Sequence, residues 1–294
     1  MTHPAPPQDN RRAILVMCVG VLLLVINDAI AKLLVATFGP FQILLLRSAL
    51  ALPMIAAVIL WRDGPGGLRS TCLRVHAVRA ALAVGATWLF IRSFADLPLA
   101  EATALIFTAP IFVALLSAPL LGQHVGPLRA AAIGLGFLGA LIAIRPGAET
   151  MQPAALLALA AALVNALVML SARLIDPRDG FWTMTFWMTL FSGLFCAATL
   201  ALDWSPPGPA AIALLAAMAV TGTLAIALIT HAFRIGHAAA VAPFDYTALL
   251  WAALIGWVVW GTVPGWPVWL GAGIIAAGGL GLILLDARAK RTAD

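Results

Sequence analysis

Apolar residues in this chain run in long unbroken segments rather than alternating or recurring on one face. Ten such segments fall at 13–35, 40–61, 75–95, 99–120, 129–145, 153–175, 181–202, 210–233, 239–260 and 267–286, separated by proline, glycine and charge. About 20 residues cross the hydrocarbon core of a bilayer as a helix. One run of that length could be a buried core helix, but ten in series could not. The pattern predicts an all-α polytopic membrane protein with ten transmembrane helices.

Composition excludes a soluble enzyme. Of the 294 residues, 63% are hydrophobic and 10% are charged, against about 25% charged residues in an ordinary soluble domain. The net charge of +5 does not point to nucleic acid, because the cations sit singly or in pairs at helix ends. Their placement instead sets an orientation. With a cytoplasmic N-terminus, the inner side receives Arg11, Arg12, Arg62, Arg69, Arg74, Arg79, Arg129, Arg173, Arg178, Arg234, Arg288, Lys290 and Arg291. The outer side receives only Arg92 and Arg145, so the positive-inside rule predicts both termini in the cytoplasm. Residues 13–35 read as a retained first helix rather than a cleaved signal: Ala29-Ile30-Ala31 resembles a signal-peptidase site, but Asn27 and Asp28 sit just before it and many further spans follow. Cys18, Cys72 and Cys196 have no CxxC spacing, so neither a disulfide nor a metal is indicated.

The chain also repeats itself. A shift of 139 residues aligns 99–144 with 238–283 without a gap. It pairs Thr108 with Thr247, Phe107 with Tyr246, and Gly122, Gly126, Gly134 and Gly139 with Gly261, Gly265, Gly273 and Gly278. Asn27 meets Asn165 at a shift of 138. Five spans per half is an odd number, so the second half enters the bilayer from the opposite side. We expect two inverted five-helix repeats, 1–147 and 148–294, which is an architecture of secondary transporters.

Leu97-Pro98-Leu99-Ala100-Glu101-Ala102-Thr103-Ala104-Leu105, Ala109-Pro110, Leu121-Gly122, Gly134-Leu135-Gly136-Phe137-Leu138-Gly139 and Arg145-Pro146-Gly147 carry a resemblance. They resemble the EamA repeat of the ten-helix members of the drug/metabolite transporter superfamily, and most of all its bacterial amino-acid exporters. The likeness is clear over 75–147 and weaker over 210–285. Family members often carry a glutamate after the Leu-Gly that ends the fourth and ninth helices. Here the positions read Gly122-Gln123-His124 and Gly261-Thr262, so no role for that acid carries over.

Several residues are candidates for chemistry, each with a plainer alternative. The GxGxxG at Gly134–Gly139 lies inside an apolar helix after no strand, so it reads as helix packing, with ladders Ala132/Gly136/Ala140 and Gly273/Ala277/Gly281. No P-loop, HExxH or GxSxG occurs, so no cofactor, metal or enzymatic activity is expected. Asp28 and Lys32, four apart on one helix face, either neutralise each other or, with Asn27, line a wet cavity. Asn165, near the centre of the sixth span, is a site residue or an interhelical hydrogen bond. Asp245 and Tyr246 follow Pro243 at the start of the ninth span, where a broken helix would expose polar groups or simply kink. Trp88, Phe107, Met169 and Trp251 are candidates for a cavity wall, although any single aromatic or Met could face lipid. Arg47, Glu101, Pro110 and Pro243 are read as gating or structural positions.

The expectation is a secondary transporter in the bacterial inner membrane, a monomer whose partners are lipid and a small molecule. The resemblance implies export of amino acids, broad and including aromatic ones. The alternatives are a transporter of another small metabolite or organic cation, such as a vitamin, nucleoside derivative or drug, and, further off, a non-transporting membrane protein.

Overall fold

The computed structural model describes residues 10–121, 127–144, 153–176, 178–199, 204–236 and 241–291. The expected repeat boundary at 147/148, the Gly122-Gln123-His124 motif and Arg145-Pro146-Gly147 lie outside those residues. Among the described residues every regular element is a helix. We label them α1 (Asn10–Leu34), α2 (Pro40–Arg62), α3 (Leu73–Ser93), α4 (Leu99–Ile106), α5 (Ala109–Leu121), α6 (Pro127–Ile144), α7 (Ala154–Ser171), α8 (Phe181–Ala197), α9 (Pro209–Ile235), α10 (Thr247–Trp260) and α11 (Trp266–Arg291). Pro40 and Pro209 stand in the first turn of α2 and α9, where a missing N–H costs nothing because no carbonyl precedes it in the helix.

Six helical segments are long and apolar enough to span a bilayer, and four shorter apolar helices accompany them at 130–143, 181–197, 244–260 and 266–281. The outer surface matches. Leu15, Val78, Leu138, Leu141, Val258 and Trp266 are all at least half exposed, which a protein bathed in water would not tolerate as a continuous belt.

The fourth apolar segment departs from expectation. It is not one helix over 99–120 but two, α4 and α5, broken at Phe107-Thr108. Pro110 accounts for the break: it has no N–H to offer the Ile106 carbonyl and cannot continue the helix from α4. Ile111 N and Phe112 N both turn to the Thr108 carbonyl and start α5 afresh. The ninth segment behaves alike, with a 3-10 turn over Ala242–Tyr246 leading into α10.

Packing brings α1 against α9, α3 against α7 and α8, α2 against α8 and α9, and α6 against α11. The α6–α11 seam is built on absent side chains. A Cβ at Gly139 would lie 2.8 Å from the Gly271 carbonyl oxygen, and one at Gly278 would lie 2.9 Å from that of Ala132. The GxGxxG run is thus a packing surface, as its sequence context predicts. The ladder on α11 differs by register from the one expected: nothing lies within 4 Å of a Cβ at Gly273, and the close approach falls to Gly271 and Gly278 instead.

Candidate functional site

Near the middle of the bundle, α1, α2 and α9 meet through polar groups. Asn27 is 3% exposed, and its Nδ2 donates to the Met218 carbonyl on α9 at 2.7 Å. That contact requires Gly222 one turn further along, because a Cβ there would lie 2.8 Å from Asn27 Nδ2 and 3.0 Å from Arg47 Nη2. Arg47, half-buried on α2, is the cation whose charge reaches Asp28.

The Asp28–Lys32 pair expected from their spacing does not form. Lys32 Nζ instead donates to the carbonyls of Phe94 and Leu97, each at 2.6 Å, and stands 5.6 Å from the centre of the Trp260 ring. The physical reason is the end of α3. Phe94 caps α3, where the last carbonyls of a helix have no internal donor and carry the negative end of its dipole, and Leu97 follows in the loop to α4. Together they draw the ammonium away from its own helix. Among the described residues no ion pair joins Asp28 to Lys32.

Next to Arg47 opens a cavity of about 390 Å³ between α2, α3, α7, α8 and α9. A volume of this order accommodates a small organic molecule. Its wall carries six hydroxyls, from Ser48, Thr87, Thr185, Thr189, Ser192 and Thr223, and the guanidiniums of Arg47 and Arg79. Asn165 also lines it, and its amide has no hydrogen-bond partner among the described residues. Phe181, Met184 and Met188 supply apolar surface. Thr185 donates to the Phe181 carbonyl of its own helix at 2.8 Å, which leaves its oxygen free to accept. Arg79 Nη1 donates to the Val168 carbonyl at 3.0 Å and to Ser171 Oγ at 3.2 Å. Among the described residues no carboxylate lines the cavity.

Of the sequence candidates, Arg47 and Asn165 reach this cavity, Asn27 meets Arg47 beside Gly222, and Asp28 is within reach of the Arg47 charge. The expected aromatic wall lies elsewhere. Trp88 stacks on Phe41 with ring centres 6.0 Å apart. Met169 is 50% exposed on the outside of α7. Trp251 packs against the core with its Nε1 buried and unpartnered. Phe107 meets Tyr246 at 5.0 Å, so the two helix breaks touch each other, with the half-buried Asp245 beside them. Glu101 sits in the first turn of α4, where the helix dipole favours an acid. Pro110 sets the α4–α5 break, and Pro243 lies in the 3-10 turn before α10.

Sequence reasoning missed Arg79 and the ring of hydroxyls. Arg79 was counted among basic residues flanking a span, yet it stands in the second turn of α3 and turns inward.

At one end of the bundle the loop between α2 and α3 is tied to the start of α8. Thr183 Oγ1 donates to the Gly67 carbonyl at 2.7 Å and Trp187 Nε1 to that of Leu68 at 3.0 Å. Beside them, burial raises the Asp179 carboxyl, but hydrogen bonds from Ser70, His76 and Cys72 outweigh it and hold the group below the usual carboxylate range.

Comparison with known proteins fits this architecture. Residues 11–145 and again 152–284 match the EamA-like transporter family. The riboflavin transporter of Rhizobium johnstonii is 31% identical over 217 residues, covering 74% of this chain and 72% of its own. That of Vibrio cholerae is 30% identical over 267 residues, covering 90% and 89%. The S-adenosylmethionine uptake transporter of Rickettsia bellii is 25% identical, with 90% of each chain covered. A solved crystal structure superposes with a TM-score of 0.65 over 94% of this chain and 99% of its own at 20% identity, a likeness of fold alone.

Proposed function

Because the chain belongs to the EamA-like transporter family, a multi-pass protein of the bacterial inner membrane, we propose that it is a secondary transporter that takes up a riboflavin-like flavin by alternating access. The names of its relatives support the broader alternative, a transporter of a small metabolite, and not amino-acid export in particular.

The alternating-access part of the proposal rests on two inverted repeats, 1–147 and 148–294. The double family match supports them. So does the packing: exchanging the halves turns the α1–α9 contact into α7–α3 and maps α2–α8 and α6–α11 onto themselves. The breaks at 107–108 and 246–247 are also related by the 139-residue shift. An odd number of spans per half then sends the repeats through the bilayer in opposite directions, with both termini cytoplasmic, and provides two shapes to exchange.

The observation that carries the substrate is the cavity wall. Riboflavin presents a planar nitrogen heterocycle and a chain of hydroxyls with no net charge. Six hydroxyls and the free amide of Asn165 match such a polyol and imide, while Phe181, Met184 and Met188 offer apolar contact to a ring. S-adenosylmethionine shares a heterocycle and ribose hydroxyls but carries a sulfonium cation. Two guanidiniums on the wall, with no carboxylate there among the described residues, disfavour that charge, which favours the flavin.

The test is counterflow in liposomes holding purified protein. Vesicles preloaded with unlabelled riboflavin should accumulate labelled riboflavin, and excess amino acids should not compete. Accumulation of labelled amino acids with none of riboflavin would reject the proposal.

A further inference from the structure

Away from the cavity, three donors of different chemistry converge where α3 begins. Cys72 is the residue that caps α3, and His76 lies in its first turn, with His76 N bonded to the Cys72 carbonyl at 3.1 Å. Four-residue spacing puts both side chains on one helix face. Asp179 arrives from the loop between α7 and α8. Its Oδ2 lies 3.0 Å from Cys72 Sγ and 2.8 Å from His76 Nε2, and these two are 3.4 Å apart. Ser70 Oγ donates to the same oxygen at 2.6 Å. His76 is 1% exposed and the Asp179 side chain 5%, while Cys72 is half-buried and reachable.

We propose that Cys72 Sγ, His76 Nε2 and Asp179 Oδ2 form a binding site for a divalent transition metal of the zinc type, which clamps the start of α3 to the α7–α8 loop. The donor set decides the metal class. Thiolate and imidazole suit zinc, whereas calcium and magnesium require oxygen ligands throughout. The geometry is close to that required. Zinc bonds of about 2.0 Å to nitrogen and oxygen and about 2.3 Å to sulfur place tetrahedral ligands about 3.3–3.5 Å apart. The observed triangle, with edges of 2.8, 3.0 and 3.4 Å, needs to open by about half an ångström at the two edges to Asp179. The fourth position falls to a water or to the Ser70 hydroxyl.

Charge also closes. On binding, Cys72 releases its thiol proton to solvent, and thiolate plus carboxylate balance the dication, so a neutral unit is buried. A nucleophilic Cys–His–Asp relay does not fit the same residues. That chemistry needs the acid on the ring nitrogen opposite the thiol, yet here both approach Nε2, and Nδ1 is buried without a partner.

The test is titration of the purified full-length protein with Co²⁺. One equivalent should bind with a thiolate-to-metal charge-transfer band, and Zn²⁺ should displace it. The band should vanish in Cys72→Ser, survive in the Cys18→Ser/Cys196→Ser double variant, and need at least about tenfold more Co²⁺ in Asp179→Asn. A wild-type protein without the band, or a band that persists in Cys72→Ser, overturns the proposal. Alkylation keeps the test open if Cys72→Ser does not fold: Zn²⁺ should protect Cys72 of the wild type from maleimide, and alkylation undiminished at saturating Zn²⁺ overturns it equally.

Discussion

Replacing Lys32 by Met separates the partners that the structure gives this lysine from the one its sequence spacing suggests. The substitution deletes two hydrogen bonds of 2.6 Å to the Phe94 and Leu97 carbonyls. A bond from a charged donor contributes about 1.5–3 kcal/mol. Lys32 is half-exposed, and screening reduces each bond, so we expect a loss of about 2–3 kcal/mol in total. Asp28→Asn removes the carboxylate whose charge reaches Arg47; among the described residues no close ion pair joins the two, so we expect a smaller loss, about 1 kcal/mol. If Lys32 answers to the end of α3 and Asp28 to Arg47, the two losses add, with a coupling within about 0.5 kcal/mol. The Asp28→Asn/Arg47→Met pair should instead show a coupling above about 0.5 kcal/mol. Denaturant unfolding of the purified variants in mixed micelles measures both cycles. An Asp28–Lys32 coupling above about 1 kcal/mol, with none between Asp28 and Arg47, would refute the reasoning.

Three further outcomes are expected. Gly222→Val places carbon against Asn27 Nδ2 and Arg47 Nη2 and should cost about 1–3 kcal/mol by overpacking, read by thermal unfolding, with flavin flux falling alongside. Asn27→Ala should lose about 1 kcal/mol with its bond to Met218. Asn165→Ala, whose amide has no partner to lose, should leave stability unchanged and weaken riboflavin affinity in a binding titration. A cysteine at Pro206 should react with an impermeant thiol reagent from the periplasm and one at Arg291 should not, in a background lacking the native cysteines. The reverse pattern would overturn the orientation.

The ten apolar segments were legible in the sequence because hydropathy over some 20 residues records the bilayer directly. Helices formed in all ten, and the glycines of α6 and α11 announced a close seam through their spacing. The break inside 99–120 was less visible: Pro110 stands at the middle of an apolar run whose hydropathy alone reads as one continuous span. Lys32 shows why side-chain partners escape such reading. Spacing along one helix finds Asp28, whereas the carbonyls that hold the ammonium lie 62 and 65 residues away. Arg79 escaped for a related reason, because a basic residue near a span end counts toward orientation whichever way it points. The hydroxyls of the cavity are common residues in apolar helices, and only folding gathers them. Cys72 and His76 stand four apart in plain view, but their third partner comes from the other half of the chain. Substrate class was least legible, since the motifs that mark the family are packing and helix-break positions rather than cavity residues.

Filling the cavity tests the central claim most directly. Thr189 faces it from α8, and Thr189→Trp places a large ring where the flavin is proposed to pass. Riboflavin counterflow should be robust in wild-type liposomes and fall at least tenfold in liposomes holding equally folded Thr189→Trp protein. Undiminished riboflavin flux through the filled variant would contradict the account.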